Sequence, residues 1–294
     1  MDKILSSAQD NSINIISEKS VGFTEARYVR REKDYFIIYL SSQTGCGKRC
    51  KFCHLTASGQ TKFIHVNRED YLSQATSVMN EYNKLKNSEG AARVVHYNWM
   101  SRGEALSNPY LINEAYPILS DLTNLSISNS LIPKFNISTI MPYEVSRKEL
   151  SEIFLGITPT LYYSLYSMNK DFRKVWMPSA IDPNKALEKL KRYQDDSKKI
   201  IKIHYAFIKD ENDSLEDLKQ VCDAISTHDL KVEFNLVRYN PYSSEEGEES
   251  SEEVLNRNLE FLKDNLDSKV KMIKRVGYKS YAGITNTIPK QRGI

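Results

Sequence analysis

The chain of 294 residues is 40% hydrophobic and 27% charged, which is typical of a folded globular protein and excludes a collagen-like, low-complexity or broadly disordered one. Its 41 basic and 38 acidic residues leave a net charge of +3, too balanced to indicate a nucleic-acid-binding protein by itself. No apolar run approaches the ~20 residues of a membrane span, and the N-terminus lacks the apolar core of a signal peptide. We therefore expect a cytoplasmic protein that does not associate with a membrane.

Short β-rich runs alternate with amphipathic helical patterns along most of the chain. Residues 1–22 are polar and aperiodic, which predicts a flexible segment ahead of one core domain at 23–294. Within this domain the pattern predicts six strands: Tyr35–Leu40, Arg93–Asn98, Phe135–Thr139, Thr160–Leu165, Ile200–Phe207 and Lys231–Val237. Helices are expected near residues 67–86, 108–122, 143–154, 183–195, 213–227 and 251–265.

The alternation of strand and helix predicts the fold class. Right-handed crossovers between successive strands give a parallel sheet with the helices on its outside. Six such units predict an α/β fold, a partial (β/α)6 barrel. In this architecture the chemistry belongs at the C-terminal ends of the strands.

Charge is distributed unevenly despite its near balance. Basic residues cluster at 27–51 and again at 269–292, where no acid occurs, while six glutamates lie within 245–253. This pattern is typical of solvated surface segments, or of two basic patches that together hold a polyanion such as a nucleic acid. Both interpretations stay open.

The loop after the first predicted strand contains three of the four cysteines, Cys46, Cys50 and Cys53, with the spacing C-x3-C-x2-C. In a reducing compartment such a group holds metal or does redox chemistry more often than it forms disulfides. Thiolates are the soft ligands that iron–sulfur clusters require. A [4Fe–4S] cluster with only three protein ligands would leave one iron open to a substrate.

Two other kinds of site are compatible with this loop. The string Cys50–His54 reads C-x-x-C-H, which also matches covalent haem attachment, although the chain lacks a secretion signal and has Cys46 upstream. His54 could complete a zinc site with the three cysteines. Because Cys53 and His54 are adjacent, they cannot easily point at one tetrahedral ion. The spacing therefore favours the cluster.

The cysteine loop, with the aromatic Phe52 just before its last cysteine, resembles that of the radical S-adenosylmethionine (SAM) superfamily. Within this superfamily, the chain resembles the RlmN/Cfr family of RNA adenine methyltransferases over most of residues 24–283. Short motifs in the family's order carry the resemblance: Glu25 with Tyr28, Ser-Ser-Gln-x-Gly-Cys at 41–46, Gly103-Glu104, Ser138-Thr139, Ser164-Leu165-Tyr166, Asn169, Arg173, Pro178, Asn212-Asp213 and Tyr239-Asn240-Pro241.

The resemblance implies two cofactors, a [4Fe–4S] cluster on the three loop cysteines and SAM bound beside it. Glu104 can accept a hydrogen bond from the ammonium group of SAM, and serine and asparagine side chains can bind its ribose or carboxylate. The expected SAM contacts are Phe52, Gly103, Glu104, Ser138, Ser164, Leu165, Tyr166 and Asn240. We assign a catalytic role to Glu25. The expected partners are RNA or a nucleotide as substrate and an electron donor such as flavodoxin.

The chain departs from this family at the two cysteines that transfer the methyl group. Tyr39 stands seven residues before Cys46, where the family has one of them, and Ala282 is the best match to the other. Only 24 residues precede Glu25, where the family has an accessory RNA-binding domain. The remaining cysteine, Cys222, lies on the apolar stripe of a predicted helix, so we expect it to be buried.

Two functions follow from these observations. The first is a radical SAM enzyme that cleaves SAM to a 5′-deoxyadenosyl radical and modifies a nucleic-acid base or a nucleotide-like molecule without the methyl-cysteine route. The second is a non-catalytic module that uses its cluster structurally and binds RNA or a protein. Reductive cleavage of SAM distinguishes them.

Overall fold

The computed structural model describes residues 2–8 and 10–273, which form one sheet of ten strands in the same order as along the chain. The strands are β1 Lys3–Ser6, β2 Ile13–Glu18, β3 Phe23–Val29, β4 Tyr35–Tyr39, β5 Val94–Trp99, β6 Ile132–Thr139, β7 Thr160–Ser164, β8 Ile201–Tyr205, β9 Val232–Leu236 and β10 Lys269–Met272.

The seven strands from β4 to β10 run parallel to one another, which confirms the predicted α/β partial barrel with its parallel sheet. Because consecutive strands are adjacent, right-handed connections place their helices on one face of the sheet. The six predicted strands correspond to β4–β9. The seventh parallel strand, β10, lies in the basic C-terminal region and was not predicted.

The helices are α1 His54–Ala57, α2 Arg68–Glu89, α3 Pro109–Asn113, α4 Ala115–Ser128, α5 Leu150–Ile153, α6 Lys170–Trp176, α7 Pro183–Ser197, α8 Leu215–Thr227 and α9 Glu252–Asn265. The single helix predicted over 143–154 is instead a short 3-10 turn, Tyr143–Val145, followed by α5. The two pieces are separate because Glu149 is extended and precedes α5 as its N-cap residue. Among residues 2–8 and 10–273, no helix combines the length and apolar character needed to cross a bilayer.

The two faces of the parallel sheet differ in chemistry. On β5, Val95, Tyr97 and Trp99 belong to the main apolar core together with residues of α2 and α4. Successive residues of a strand point to opposite faces, and residues in register on neighbouring strands share a face. The concave face is therefore the polar one, and from β4 to β9 it carries Tyr39, Asn98, Ser138, Ser164, His204 and Asn235.

Within residues 1–22, where the sequence predicts a flexible segment, the structure has two strands. β1 pairs antiparallel with β2, β2 with β3, and β3 with β4, so the N-terminal strands extend the barrel sheet. Ile13 and Ile15 lie in the main core and pair in register with Tyr28 and Ala26. The apolar pattern of β2 is only a few residues long, so it indicates a strand only once β3 lies beside it.

The acidic segment 245–253 is partly structured rather than only a solvated loop. Glu246 is buried, and its carboxylate accepts a hydrogen bond from the backbone N–H of Ser243 at 2.7 Å. Arg238 donates to Glu249 through two nitrogens, at 2.7 and 2.8 Å. The Tyr239 hydroxyl donates to the carbonyl of Glu246. These bonds fix the chain that leaves β9 close to the polar concave face.

Candidate active site

A cavity of about 390 Å³ opens at the C-terminal ends of the parallel strands. This volume lies within the range of roughly 300–1,000 Å³ usual for small-molecule sites. All three loop cysteines line it, together with seven of the eight residues predicted to bind SAM: Phe52, Gly103, Glu104, Ser138, Ser164, Tyr166 and Asn240. Their roles stay predictions, but the fold brings them to one place.

The cysteine loop is held in shape by its backbone. The N–H of Cys46 donates to the carbonyl of Gln60 at 3.0 Å, and the N–H of Cys53 donates to the carbonyl of Cys50 at 3.0 Å. A Cβ on Gly45 would lie 2.6 Å from the carbonyl oxygen of Gln60, so only glycine allows this approach. The three thiols therefore face the cavity from a loop that packs directly against the segment following α1.

The electrostatics of the loop suit thiolates that bind a cationic group. Burial raises the pKa of Cys46 to about 12 and also raises those of Cys50 and Cys53. The charges of Cys46 and Cys53 raise the pKa of Cys50 further. Three neighbouring buried thiolates need positive charge to be stable. A coordinating metal ion carries that charge and therefore deprotonates the thiols that bind it. The donor set thus fits an iron–sulfur cluster.

Among residues 2–8 and 10–273, no three His, Cys, Asp or Glu side chains stand close enough to share one metal ion. A single tetrahedral zinc ion would need all its sulfurs within about 2.3 Å of itself. A [4Fe–4S] cluster takes each thiolate on a different iron, so its cysteines lie further apart. The finding therefore concerns a single-ion site, such as the Cys3His alternative, and not the cluster.

Glu104 lies buried at the base of the cavity. One carboxylate oxygen accepts the N–H of Leu106 at 3.1 Å, and the other accepts the N–H of Ile140 at 3.1 Å. Burial raises the pKa of Glu104, while the Thr139 hydroxyl and these two N–H groups act against the shift. A carboxylate oxygen can accept more than one hydrogen bond, so Glu104 can also bind a cationic ligand group. A bound ammonium would stabilise its charged form.

Gly103, in the loop after β5, lies in close contact with Gln43 of the cysteine loop. Its φ of +88° favours glycine, and a Cβ there would lie 2.7 Å from the Cβ of Gln43 and 2.8 Å from its backbone nitrogen. The N–H of Glu104 donates to the side-chain oxygen of Gln43 at 3.1 Å. The glycine therefore sets the distance between the carboxylate of Glu104 and the loop that carries the cysteines.

Two stacked aromatic rings form one wall. The rings of Phe52 and Tyr166 lie 4.4 Å apart and within 4° of parallel. Tyr166 has a φ of +58°, which is unusual for a residue other than glycine. Its carbonyl accepts a hydrogen bond of 2.7 Å from Asn212, which also bonds the backbone of Ile208 and Ala206. Asn212 thereby holds the wall in place.

The sequence analysis missed several polar residues of the cavity lining, among them His204 on β8, Ser101 and Tyr242. Burial and Lys271 lower the pKa of His204 to about 4, so its imidazole is neutral near pH 7. Its ring lies 4.9 Å from that of Tyr162. The alternation of residues in Ile201–Tyr205 could have indicated this position, because it places His204 on the face of the strand away from Ile201 and Ile203.

Comparison with known proteins agrees with this geometry, although no protein-family model matches the chain. The dual-specificity RNA methyltransferase RlmN of a Nitratiruptor species is 29% identical over 227 residues, which cover 76% of this chain and 58% of that protein. RlmN of Campylobacter curvus is 27% identical over 282 residues, covering 95% of this chain and 67% of that one. The crystal structure of a radical SAM methyltransferase from Sphaerobacter thermophilus matches with a TM-score of 0.71 and 17% identity, over 94% of this chain and 78% of that chain. The chain is therefore similar in sequence to RlmN proteins and has the fold of a radical SAM methyltransferase. It spans less than two thirds of the length of the Nitratiruptor relative.

Two residues assigned to the site of this RlmN-like chain lie outside the cavity lining. Leu165 is fully buried, and its backbone bonds His204 and Arg173. Leucine after Ser164 therefore packs into the core while its serine neighbour faces the cavity. Glu25, assigned a catalytic role, is buried on β3 with its carboxylate at 3.1 Å from the guanidinium of Arg102.

The residues at which the RlmN-like chain departs from the family are only partly described. Tyr39 ends β4 on the concave face and pairs in register with Arg27 and Asn98. Cys222 is buried on α8, as predicted, and burial followed by Asp223 raises its pKa to about 11. The first residue of its predicted apolar stripe, Leu215, is exposed because it begins the helix. Ala282 lies outside the described residues.

Proposed function

We propose that this RlmN-like chain is a radical SAM enzyme that modifies a base in RNA or in a nucleotide-like molecule. One observation carries the proposal: a single cavity at the strand ends contains three cysteines on one loop, a buried carboxylate and the hydroxyl and amide groups that SAM would need. A structural cluster alone would not require that carboxylate and those polar groups beside it.

The residues of the cavity divide the work of binding. Cys46, Cys50 and Cys53 would hold a [4Fe–4S] cluster through three irons. When bound, such a cluster supplies the electron that cleaves SAM to methionine and a 5′-deoxyadenosyl radical. Glu104 would bind the ammonium group of SAM, in a site where exclusion of water strengthens the ionic contact. The stacked rings at Phe52 and Tyr166 would exclude water from the open side of the cluster.

The amide and aromatic groups on the concave face favour a planar, nitrogen-containing substrate. Asn136 donates to Asn98 at 2.7 Å on this face, and Tyr162 lies against His204. Amide groups read the edges of bases, and aromatic rings stack on unpaired ones. The named relatives are RNA methyltransferases, which makes RNA the first substrate to test. Because tyrosine at position 39 cannot act as a thiolate nucleophile, we do not include methyl transfer through cysteine.

The enzyme also needs an electron, which we propose comes from an acidic protein such as flavodoxin. Three basic residues, Lys48, Arg49 and Lys51, lie on the cysteine loop itself. Lys51 stacks over the ring of Trp176 at 4.4 Å, and Lys48 forms an ion pair with Glu144. Their charge would attract an acidic electron donor to the loop that holds the cluster.

Reductive cleavage of SAM tests the activity. The protein is reconstituted anaerobically with iron and sulfide, reduced with dithionite and incubated with SAM, and 5′-deoxyadenosine is measured by mass spectrometry. We expect turnover in the wild type and none in Cys50→Ala, because two thiolates do not hold the cluster. Cys222→Ala is the matched control and keeps the activity. Zinc as the bound metal, or equal cleavage in Cys50→Ala, would contradict the proposal.

The substrate is tested by mass spectrometry of RNA from cells with and without the protein. We expect one modified nucleoside that disappears with the gene and is not restored by Cys50→Ala. Identical RNA combined with active SAM cleavage would leave the enzyme class standing and exclude RNA in favour of a smaller nucleotide.

A further inference from the structure

Arg102 is one of the largest side chains that the fold buries completely, with 1% of its surface exposed. It follows β5 and directly precedes Gly103. Removing a guanidinium from water is costly unless other groups replace the lost hydrogen bonds and balance the charge. The partners of Arg102 therefore indicate what its burial achieves.

The guanidinium binds three separate parts of the chain. Its Nε and one Nη donate to the carbonyl of Thr44 at 3.1 and 2.9 Å, and the same Nη donates to the side chain of Gln60. Its other Nη donates to Glu25 on β3 at 3.1 Å. The guanidinium also lies 3.9 Å from the ring centre of Phe23. Only the planar fork of arginine can make these bonds at once.

Two of these contacts, with Thr44 and with Gln60, lie beside Cys46. Thr44 precedes this cysteine by two residues, and Gln60 accepts the N–H of Cys46 through its own carbonyl. The backbone carbonyl of Arg102 also accepts the N–H groups of Ser42 at 2.7 Å and Gln43 at 3.2 Å. Arg102 thus holds the chain just before Cys46 and also Gln60, which follows the last cysteine of the loop.

The charge of Arg102 is balanced by Glu25 but is still felt at the cysteines. The guanidinium of Arg102 donates to the carbonyl of Thr44, two residues before Cys46, so the positive charge lies directly against the cysteine loop. The same positive charge would favour a reduced cluster, since reduction adds one negative charge. Glu25 carries the compensating negative charge, with its carboxylate 3.1 Å from the guanidinium.

We propose that Arg102 is a positioning residue that shapes the cysteine loop for its cluster, and that the Glu25–Arg102 pair sets the electrostatic potential at this loop. The inference rests on the cluster of the proposed function. It gives Glu25 a role through Arg102 in place of the catalytic role predicted from the sequence. Arg102→Lys keeps the charge and loses the fork, whereas Glu25→Gln keeps the shape and removes the negative charge.

The experiment compares these two variants with Arg93→Lys. Arg93 is the control because its ion pair with Asp34 is exposed and lies at the opposite end of β5. Each protein is reconstituted anaerobically, and three quantities are measured: iron and sulfide per chain, the free energy of unfolding of the cluster-free protein by circular dichroism, and the cluster's reduction potential by electron paramagnetic resonance during a redox titration.

We expect Arg102→Lys to fold and to bind severalfold less iron than the wild type. Glu25→Gln should bind iron normally, while its reduced-to-oxidised ratio at a fixed potential rises about threefold or more, because a unit charge is removed near a site of low dielectric constant. A purely structural pair would not move this ratio. Arg93→Lys should change neither the iron content nor the reduced-to-oxidised ratio.

Three outcomes contradict the proposals in different ways. Wild-type iron content in a folded Arg102→Lys overturns the positioning role, and a wild-type potential in Glu25→Gln overturns the electrostatic role. If Arg102→Lys does not fold, the potential of Glu25→Gln decides the inference. A wild-type protein that binds no iron–sulfur cluster contradicts the proposed function itself, and this is seen before any variant is compared.

Discussion

Replacing Gly103 by alanine tests whether the two loops of the site depend on close backbone contact. The φ of +88° alone disfavours alanine, with a cost of about 1–3 kcal/mol. The added Cβ would also lie 2.8 Å from the backbone nitrogen of Gln43, which cannot move without the cysteine loop. Overpacking of this kind costs a further ~1–3 kcal/mol. We expect Gly103→Ala to lower the free energy of unfolding by about 2–6 kcal/mol in total.

Gly90→Ala separates the two contributions. Gly90 has a similar φ of +83°, but an added Cβ would meet no atom within 4 Å. Urea denaturation followed by circular dichroism measures both variants without cluster or SAM. The loss in Gly103→Ala should exceed that in Gly90→Ala by the steric part, and only Gly103→Ala should weaken SAM binding after reconstitution. Equal losses in the two variants, with unchanged SAM affinity, would refute the reasoning.

Three further predictions concern single residues. Glu104→Gln should weaken SAM binding by about 10–150-fold in calorimetry at unchanged iron content, since a charge-assisted bond is worth ~1.5–3 kcal/mol. In the wild type the SAM affinity should fall as the pH falls through the raised pKa of Glu104, because the proton neutralises the carboxylate. An affinity that does not change with pH would identify Glu104 as a structural acid. Cys222 should resist iodoacetamide at pH 8 in the folded protein, because burial raises its pKa to about 11, and should react once urea unfolds the chain. Methyl-labelled SAM should leave no label on Cys222, and a labelled Cys222 would restore a methyl-cysteine route. Asn212→Ala should lower the free energy of unfolding by about 2–4 kcal/mol, because it leaves buried backbone groups unpaired, while Asn265→Ala, whose exposed amide bonds its own helix, should cost little.

The parts of the site that the sequence predicted depend on short spacing. The cysteines lie within eight residues, so their chemistry is visible without a fold. Ser138 and Ser164 lie near the C-terminal ends of predicted strands, and the Gly103-Glu104 pair follows another. Parallel strands bring their C-terminal ends to one edge. The same local patterns predicted the six strands from β4 to β9 to within a few residues.

The other parts depend on residues that are far apart along the chain. The sequence assigned Glu25 a catalytic role, and its ion pair with Arg102 could not be predicted because the two residues lie 77 positions apart. Similarly, β1 and β2 are too short to stand out until β2 pairs with β1 on one side and β3 on the other, and the close approach of Gly103 to Gln43 is visible only in the fold. A pattern of a few residues encodes the periodicity of a strand and the spacing of ligands. The burial and pairing of a charge are set by elements that only the folded chain brings together, so the tertiary structure alone decided that Glu25 balances an arginine outside the cavity lining.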